Sequence, residues 1–321
     1  MTGKYKIEVS NNRVTFFLTV KRNITIIQGD SGTGKTTLIR LLSEYNRLGA
    51  SSGVSVKCNK DCVALIPTDW KHYIDSVSDK IIFIDENNTF IRSKEFAETL
   101  ECSDNYFVII IRDSLPQLSY SIDEIYGMRV SNDSQKYVKA KHVYNELYKL
   151  YSIPKCNKIN PDVVFTEDSN SGFDCFNEIF GKKCLSLAGK SNASVRILAP
   201  EYREKELLVI VDGAAFGSDI REFMRSARRL EDKCSLYAPE SFEYIILCSG
   251  IVSIDKQILD STYDYADSKF YSSWERYFTS YLVEKTKDTP LKYSKHRLNK
   301  NYLSEGNLKK IKDVLPEMIE Q

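Results

Sequence analysis

Apolar residues follow two rhythms along the first 150 positions. Tyr5, Ile7 and Val9 alternate with polar neighbours, Asn11-Asn12 is suited to a turn, and 14–18 returns as a β-rich run, which together predict a hairpin. A buried strand is expected over 24–28, followed by a glycine-rich loop and a helix whose inner face carries Leu38, Leu41 and Leu42. Short strands are expected at 54–57 and 63–66. The uninterrupted apolar runs 81–84 and 106–111 have the composition of central parallel strands covered on both faces. Apolar positions 137, 140, 144, 147/148 and 151 predict a helix over 134–151. Strands alternating with helices around one glycine loop imply a doubly wound α/β sheet.

The stretch 152–162 breaks this pattern with Pro154, Pro161 and polar residues, and it is read as a domain boundary. Three regions are expected: 1–152, a smaller α/β domain at 162–250, and a helical extension at 251–321. In the second, strands are predicted at 163–166, 184–187, 207–211 and 244–248, with a helix through Phe176 and Phe180. In the third, Phe270, Trp274, Tyr277/Phe278 and Tyr281/Leu282 recur at helical spacing and are read as core.

Composition narrows the class. The chain is 42% hydrophobic and 28% charged, as soluble globular proteins are, and its net charge of +1 creates no overall field for nucleic acid or an acidic membrane. The Met1 region lacks the apolar core of a signal peptide, and no run reaches the roughly 18 apolar residues of a spanning helix. A cytoplasmic location without membrane contact is the expectation. Of eight cysteines only Cys58 and Cys62 lie close together, and all are read as reduced thiols. With three histidines and none at zinc spacing from a cysteine, no structural zinc site is expected.

The chemistry begins at Gly29-Asp30-Ser31-Gly32-Thr33-Gly34-Lys35-Thr36, followed by Thr37. Glycines at this spacing let backbone N–H groups turn inward around phosphate oxygens, Lys35 reaches the β/γ-phosphates, and the Thr36 hydroxyl coordinates Mg²⁺. The opening helix adds its positive N-terminal end. ATP with Mg²⁺ is the expected ligand. Fifty residues on, an apolar strand ends in Asp85-Glu86, where Asp85 would hold Mg²⁺ through water and Glu86 would polarise the attacking water. The next strand ends in Arg112, either a γ-phosphate sensor or one half of a plain surface ion pair.

Residues 1–130 thus resemble the P-loop NTPases, with 80–86 matching the Walker B strand. The antiparallel hairpin ahead of the loop is similar to ATPase heads related to the ABC class. No LSGGQ-like signature separates loop and Walker B, and no arginine-rich lid follows the core.

In the second region Glu167 ends the first strand and opens a helix. The next strand ends in Leu187-Ala188-Gly189-Lys190, and the third in Val211-Asp212-Gly213-Ala214-Ala215-Phe216-Gly217. This order of acid, glycine turn, and acid with trailing glycine resembles the Toprim domain. That domain occurs in topoisomerases, primases and the overcoming-lysogenization-defect nucleases, in which a P-loop ATPase precedes it. The resemblance implies Glu167 as metal ligand or general acid/base and Asp212 as metal ligand. It also implies action on nucleic acid, in DNA processing or antiviral defence. The second acid of the family's Asp-x-Asp motif is Ala214 here, and Asp168, Asp174 or Asp219 are the candidates to replace it.

Between 284 and 312 nine Lys/Arg (Lys285, Lys287, Lys292, Lys295, Arg297, Lys300, Lys309, Lys310, Lys312) face three acids, with Tyr293 and Tyr302 interleaved. The strip is read either as a DNA or RNA contact, its tyrosines stacking on bases, or as a solvated helical face. The sequence therefore predicts an Mg²⁺-dependent ATPase gating a nuclease-like domain. The rival is a nucleotide switch whose inactive second domain binds another protein; a homo-oligomer is a further expected form.

Overall fold

A computed structural model describes residues 1–29, 34–65, 69–131, 142–151, 160–231 and 233–316. The chain is mixed α/β and divides into two compact units, 1–151 with 261–273, and 152–260 with 274–321. The C-terminal helices therefore belong to the same unit as the second sheet rather than to a separate extension. Residues 261–273 join the first unit, where the Ser268 N–H donates to the Met1 carbonyl at 3.0 Å and the Asn23 amide to the Tyr271 carbonyl at 3.1 Å.

In the first unit the described strands and helices run β1 (Tyr5–Ser10), β2 (Val14–Val20), β3 (Ile24–Gln28), α1 (Lys35–Leu48), β4 (Ser55–Lys57), β5 (Cys62–Ala64), α2 (Trp70–Ser76), β6 (Ile81–Ile84), α3 (Lys94–Glu101), β7 (Tyr106–Ile111), β8 (Ile125–Val130) and β9 (Val143–Lys149). Nine strands form one mixed sheet in the order β4-β1-β2-β9-β8-β3-β7-β6-β5. The hairpin β1–β2 pairs Tyr5 with Val20, and the Asn11 side chain accepts from the Arg13 and Val14 N–H groups in its turn. β5, β6, β7, β3 and β8 are mutually parallel, and β3, β6 and β7 are buried at every position. One core holds Leu38, Leu41 and Leu42 of α1 against Val9, Phe16 and Leu18 of the hairpin and Ile81, Phe83 and Val108 of the parallel strands.

The helix expected over 134–151 is corrected. Positions 132–141 lie outside the described residues, and 143–149 form β9, antiparallel to β8 and parallel to β2. Pairing on both sides overrides a spacing that also fits a helix. β8 was not anticipated, because Gly127 interrupts its pattern. Gly127 faces Tyr148, whose ring covers it so closely that an added Cβ would stand 2.4 Å from the ring.

At the far edge, α1 completes the sheet. The Asn46 side chain donates to the Cys62 carbonyl at 2.9 Å and accepts from the Ala64 N–H at 2.8 Å, standing in for a tenth strand. Asn46→Ala should therefore cost about 1–3 kcal/mol, the range for leaving half-buried backbone groups without partners. Urea unfolding should show a lower midpoint at unchanged slope, and an unchanged midpoint would mean that water replaces the amide.

The second unit runs β10 (Val163–Thr166), α4 (Ser171–Phe180), β11 (Cys184–Ser186), α5 (Ala193–Arg196), β12 (Leu207–Ile210), α6 (Ile220–Ala227), β13 (Cys234–Tyr237), α7 (Phe242–Cys248), α8 (Lys256–Asp260), α9 (Trp274–Thr286) and α10 (Glu305–Val314). Its four strands are parallel in the order β11-β10-β12-β13. The strand expected at 244–248 is instead α7, capped by Ser241, whose hydroxyl accepts the Tyr244 N–H at 3.2 Å. A short apolar run does not distinguish strand from buried helix, and the cap decides it. Of the aromatic stripe, Tyr277, Phe278 and Leu282 are buried on α9, whereas Phe270 precedes the helix and is 70% exposed.

Candidate functional site

Two sites arise, one in each unit. In the first, β3 ends at Gln28 and α1 opens at Lys35; Asp30, Ser31, Gly32 and Thr33 lie outside the described residues. Gly34 precedes the helix at φ 90°, and an added Cβ there would meet the Phe16 ring at 3.3 Å, so only glycine suits the position. Lys35 is buried although charged, and its ammonium folds back over the strand end, 3.7 Å from where a Cβ on Gly29 would lie. Thr36 is exposed and Thr37 half-buried.

Asp85, Glu86 and Arg112 follow the C-terminal ends of β6 and β7, the same edge at which β3 delivers Gly29. Register aligns Ile84 with Ile109 and Ile26. The Gln28 side chain donates to the Arg112 carbonyl at 3.1 Å, tying these ends together. Asp85 is half-buried, with its backbone carbonyl accepting from Asn88 and its carboxylate from the Asn87 amide. Of the two readings of Arg112, the ion pair is present: its Nε lies 2.7 Å from Glu86 Oε1. Glu86 must loosen that pair before it can act on a water. Beside Gly34 and Thr37 opens a hollow of about 450 Å³ with Arg13, Val14, Arg129, Val130 and Asn145 on its walls. Sequence reasoning missed it, because its walls come from β2, β8 and β9, and the last two of these strands were not foreseen.

In the second unit Glu167 follows β10 and Asp212 follows the adjacent β12, so both reach one edge of the parallel sheet. They touch: the Asp212 N–H donates to Glu167 Oε2 at 3.1 Å, and Asp212 Oδ1 accepts the Phe242 N–H at 3.2 Å. Gly213 has to be glycine, since an added Cβ would stand 2.7 Å from the Ala238 carbonyl oxygen. Ala214 is packed away from solvent. Of the candidates to replace the missing acid, Asp168 lines the same cavity as Glu167 and Asp212, whereas Asp174 and Asp219 do not line it. Asp168 turns back to the Asn170 N–H at 3.0 Å, Asp174 accepts the Leu298 N–H at 2.9 Å, and Asp219 accepts the Ser218 hydroxyl at 2.6 Å.

Two other glutamates face Asp212 instead, Glu243 on α7 and Glu275 on α9. Glu243 is buried and accepts the Tyr293 hydroxyl at 2.8 Å, and that hydroxyl lies 2.7 Å from Ser171 Oγ. The Lys295 ammonium, ion-paired with Glu275, supplies positive charge to the cluster, and Glu275, Glu243 and Asp212 hold it charged. Burial pushes the carboxyls of Glu167 and Asp212 above their usual range. The neighbouring acids add to the shift, while the Asp212 N–H and Lys190 oppose it at Glu167. Glu167, Asp212, Glu243, Ser171 and Lys295 line a small cavity of about 40 Å³, enough for a water or an ion.

Among the described residues no three His, Cys, Asp or Glu side chains gather closely enough to cage a metal. Glu167 and Asp212 nonetheless suit Mg²⁺, which takes one or two carboxylates from the protein and completes its shell with waters and substrate phosphates. The tyrosines of the basic strip are not available for stacking on bases. Tyr293 and Tyr302 are buried in edge-to-face contact at 6.2 Å, and Tyr302 donates to the Leu291 carbonyl. Lys295 belongs to the acid cluster, whereas Lys292, Arg297, Lys300, Lys309 and Lys310 are exposed. Among the described residues no helix is long and apolar enough to cross a membrane. Compared with protein-family models and with curated proteins, the chain matches none.

Proposed function

We propose that the first unit is an Mg²⁺-dependent ATPase of the P-loop kind and that its nucleotide state gates a Toprim-like metal-dependent nuclease in the second. The convergence of Glu167 and Asp212 on one sheet edge carries the nuclease half of this reading. Both are desolvated acids in one pocket, where a bound cation stabilises charge more strongly than it does in water. For the ATPase half, Lys35 and backbone N–H groups at the opening of α1 would hold phosphates. Thr36 and Asp85 would hold Mg²⁺, and Glu86 would orient water once it leaves Arg112. The hollow between Arg13 and Arg129 takes the nucleoside. Magnesium supplies charge neutralisation at both sites, and the side chains bind, orient and move protons.

In the second unit Glu167, neutral or ionised near physiological pH, is suited to carry a proton to or from an attacking or leaving oxygen. Lys295 is placed to offset charge on a phosphodiester. The exposed lysines of the 284–312 strip would contact DNA or RNA through backbone phosphates alone.

The test is Mn²⁺-dependent cleavage of single- and double-stranded DNA and RNA in the presence of ATP. Asp212→Asn should lower cleavage at least about a hundredfold, the scale of losing one such group, and leave ATP hydrolysis unchanged. Absence of cleavage by the parent protein would overturn the nuclease reading. A second reading is favoured by Ala214 and by the ammonium already seated among the acids: the second unit then binds a partner protein, or a second copy of the chain, according to nucleotide state. It predicts association that follows ATP and is unchanged in Asp212→Asn.

A further inference from the structure

Cys58 and Cys62 belong to neither proposed site, yet they occupy an unusual place. Cys58 directly follows β4 and Cys62 opens β5, and these are the two outermost strands of the nine-stranded sheet. The connection 58–61 therefore spans from one edge of the sheet to the other in four residues. The sulfurs converge on the peptide between them. Cys58 Sγ accepts the Lys60 N–H at 3.4 Å, and Cys62 Sγ donates to the Lys60 carbonyl at 3.7 Å. The two thiols are therefore neighbours across one peptide. Cys58 is half-buried and reachable, whereas Cys62 is buried behind it.

We infer that Cys58 and Cys62 form a thiol-oxidation site that closes into a disulfide joining the two outer strands of the sheet. Bridging is feasible where the side chains already meet, since the bond needs only the two sulfurs drawn to about 2.05 Å. The attacking sulfur is Cys58. The neighbouring Cys62 thiol and the Lys60 and Asn59 backbone N–H groups hold its thiol below the usual range, against burial and Asp61. Cys62 is pushed up by the same contact and by burial, so it remains a thiol until its partner has reacted. Lys60, Asp79 and Tyr5 are also titratable groups at this corner, with the Lys60 ammonium ion-paired with Asp79 and 5.7 Å from the Tyr5 ring centre.

The co-reactant is a low-molecular-weight disulfide. The Cys58 thiolate attacks one of its sulfurs, forming a mixed disulfide and releasing one thiolate, which takes a proton. Cys62 then loses its proton and attacks Cys58 Sγ, releasing the second thiol. Two protein thiols are oxidised and one small disulfide is reduced to two thiols. Because the Asn46 side chain of α1 hydrogen-bonds the Cys62 carbonyl and the Ala64 N–H, the bridge would be anchored one hydrogen bond away from the helix that begins at Lys35.

The experiment treats the full chain with oxidised glutathione, quenches with acid, blocks remaining thiols with N-ethylmaleimide, and maps peptides by mass. The Cys58–Cys62 disulfide should appear before the exposed Cys102 is modified. Cys62→Ala should stop at a glutathione adduct on Cys58, and Cys58→Ser should leave Cys62 alkylated by the blocking agent. The inference is overturned if Cys102 reacts first while Cys58 and Cys62 stay free in the unmutated chain. It is equally overturned if Cys58 carries glutathione there without ever closing onto Cys62. Neither result depends on ATPase or nuclease activity.

Discussion

Lys35→Ala should lower ATP affinity by about a hundredfold, the loss expected when a charge-assisted contact worth up to about 3 kcal/mol disappears. The residue is buried at the first position of α1, where the helix end already carries partial positive charge. A lysine at that point adds its charge to the positive end of its own helix, which is the combination that would suit a phosphate ligand. The readout is therefore the response to nucleotide rather than the stability of the unliganded protein. The contrast appears on adding Mg·ATP. A ligand present at a hundred times its dissociation constant stabilises by about 2.7 kcal/mol, and a variant binding a hundredfold more weakly gains only about 0.4 kcal/mol. Thermal unfolding with and without nucleotide separates the two. An equal upward shift in parent and variant would remove Lys35 from the phosphate site.

Legibility in the sequence followed how local each signal was. The edge where Gly29, Asp85 and Arg112 lie was readable because β6 and β7 are uninterrupted apolar runs and β3 a buried one, each followed directly by its candidate residue. The pairing of β8 with β9 was not, since Gly127 weakens one strand and the other has apolar residues at helical spacing. In the second unit Glu167 and Asp212 were legible as acids at strand ends. Glu243, Glu275 and Lys295 were not, because they arrive from α7, α9 and the segment after α9, and no spacing links 212 to 295. The tyrosines at 293 and 302 show the converse error. A run of lysines signals surface, yet Tyr293 is buried by its bonds to Glu243 and Ser171 and Tyr302 by its packing. Cys58 and Cys62 were visible as a pair, but their role in joining opposite sheet edges depends on strand order, which periodicity does not encode.

Glu167→Gln should make the protein more stable at pH 8 and leave it nearly unchanged at pH 4. Burial raises the Glu167 carboxyl from an ordinary 4.5 to about 7. A raised acid binds its proton more tightly folded than unfolded, so folding is penalised as that proton leaves. Below about pH 4.5 both states are protonated and there is no penalty. From there through pH 7 the native state loses stability, and above pH 7 the full cost applies. The full cost is on the order of 3 kcal/mol. Asp212, raised by burial and by Glu275, Glu167 and Glu243, acts with the same sign. Glutamine keeps the size and an acceptor for the Asp212 N–H but has no proton to lose, so the variant should escape its share of this decline. A divalent cation acts in the opposite direction, since it favours the ionised carboxylates. Mn²⁺ at pH 8 should therefore restore stability to the parent protein and much less to Glu167→Gln. Urea unfolding at pH 4, 6 and 8, with and without Mn²⁺, measures both effects without any assay of cleavage. Coincident pH profiles for the two proteins would mean that Glu167 ionises in the folded state as it does in the unfolded chain. A pH difference without any Mn²⁺ effect would leave the strained acid in place and remove its metal, and the partner-binding reading would then be the one to pursue.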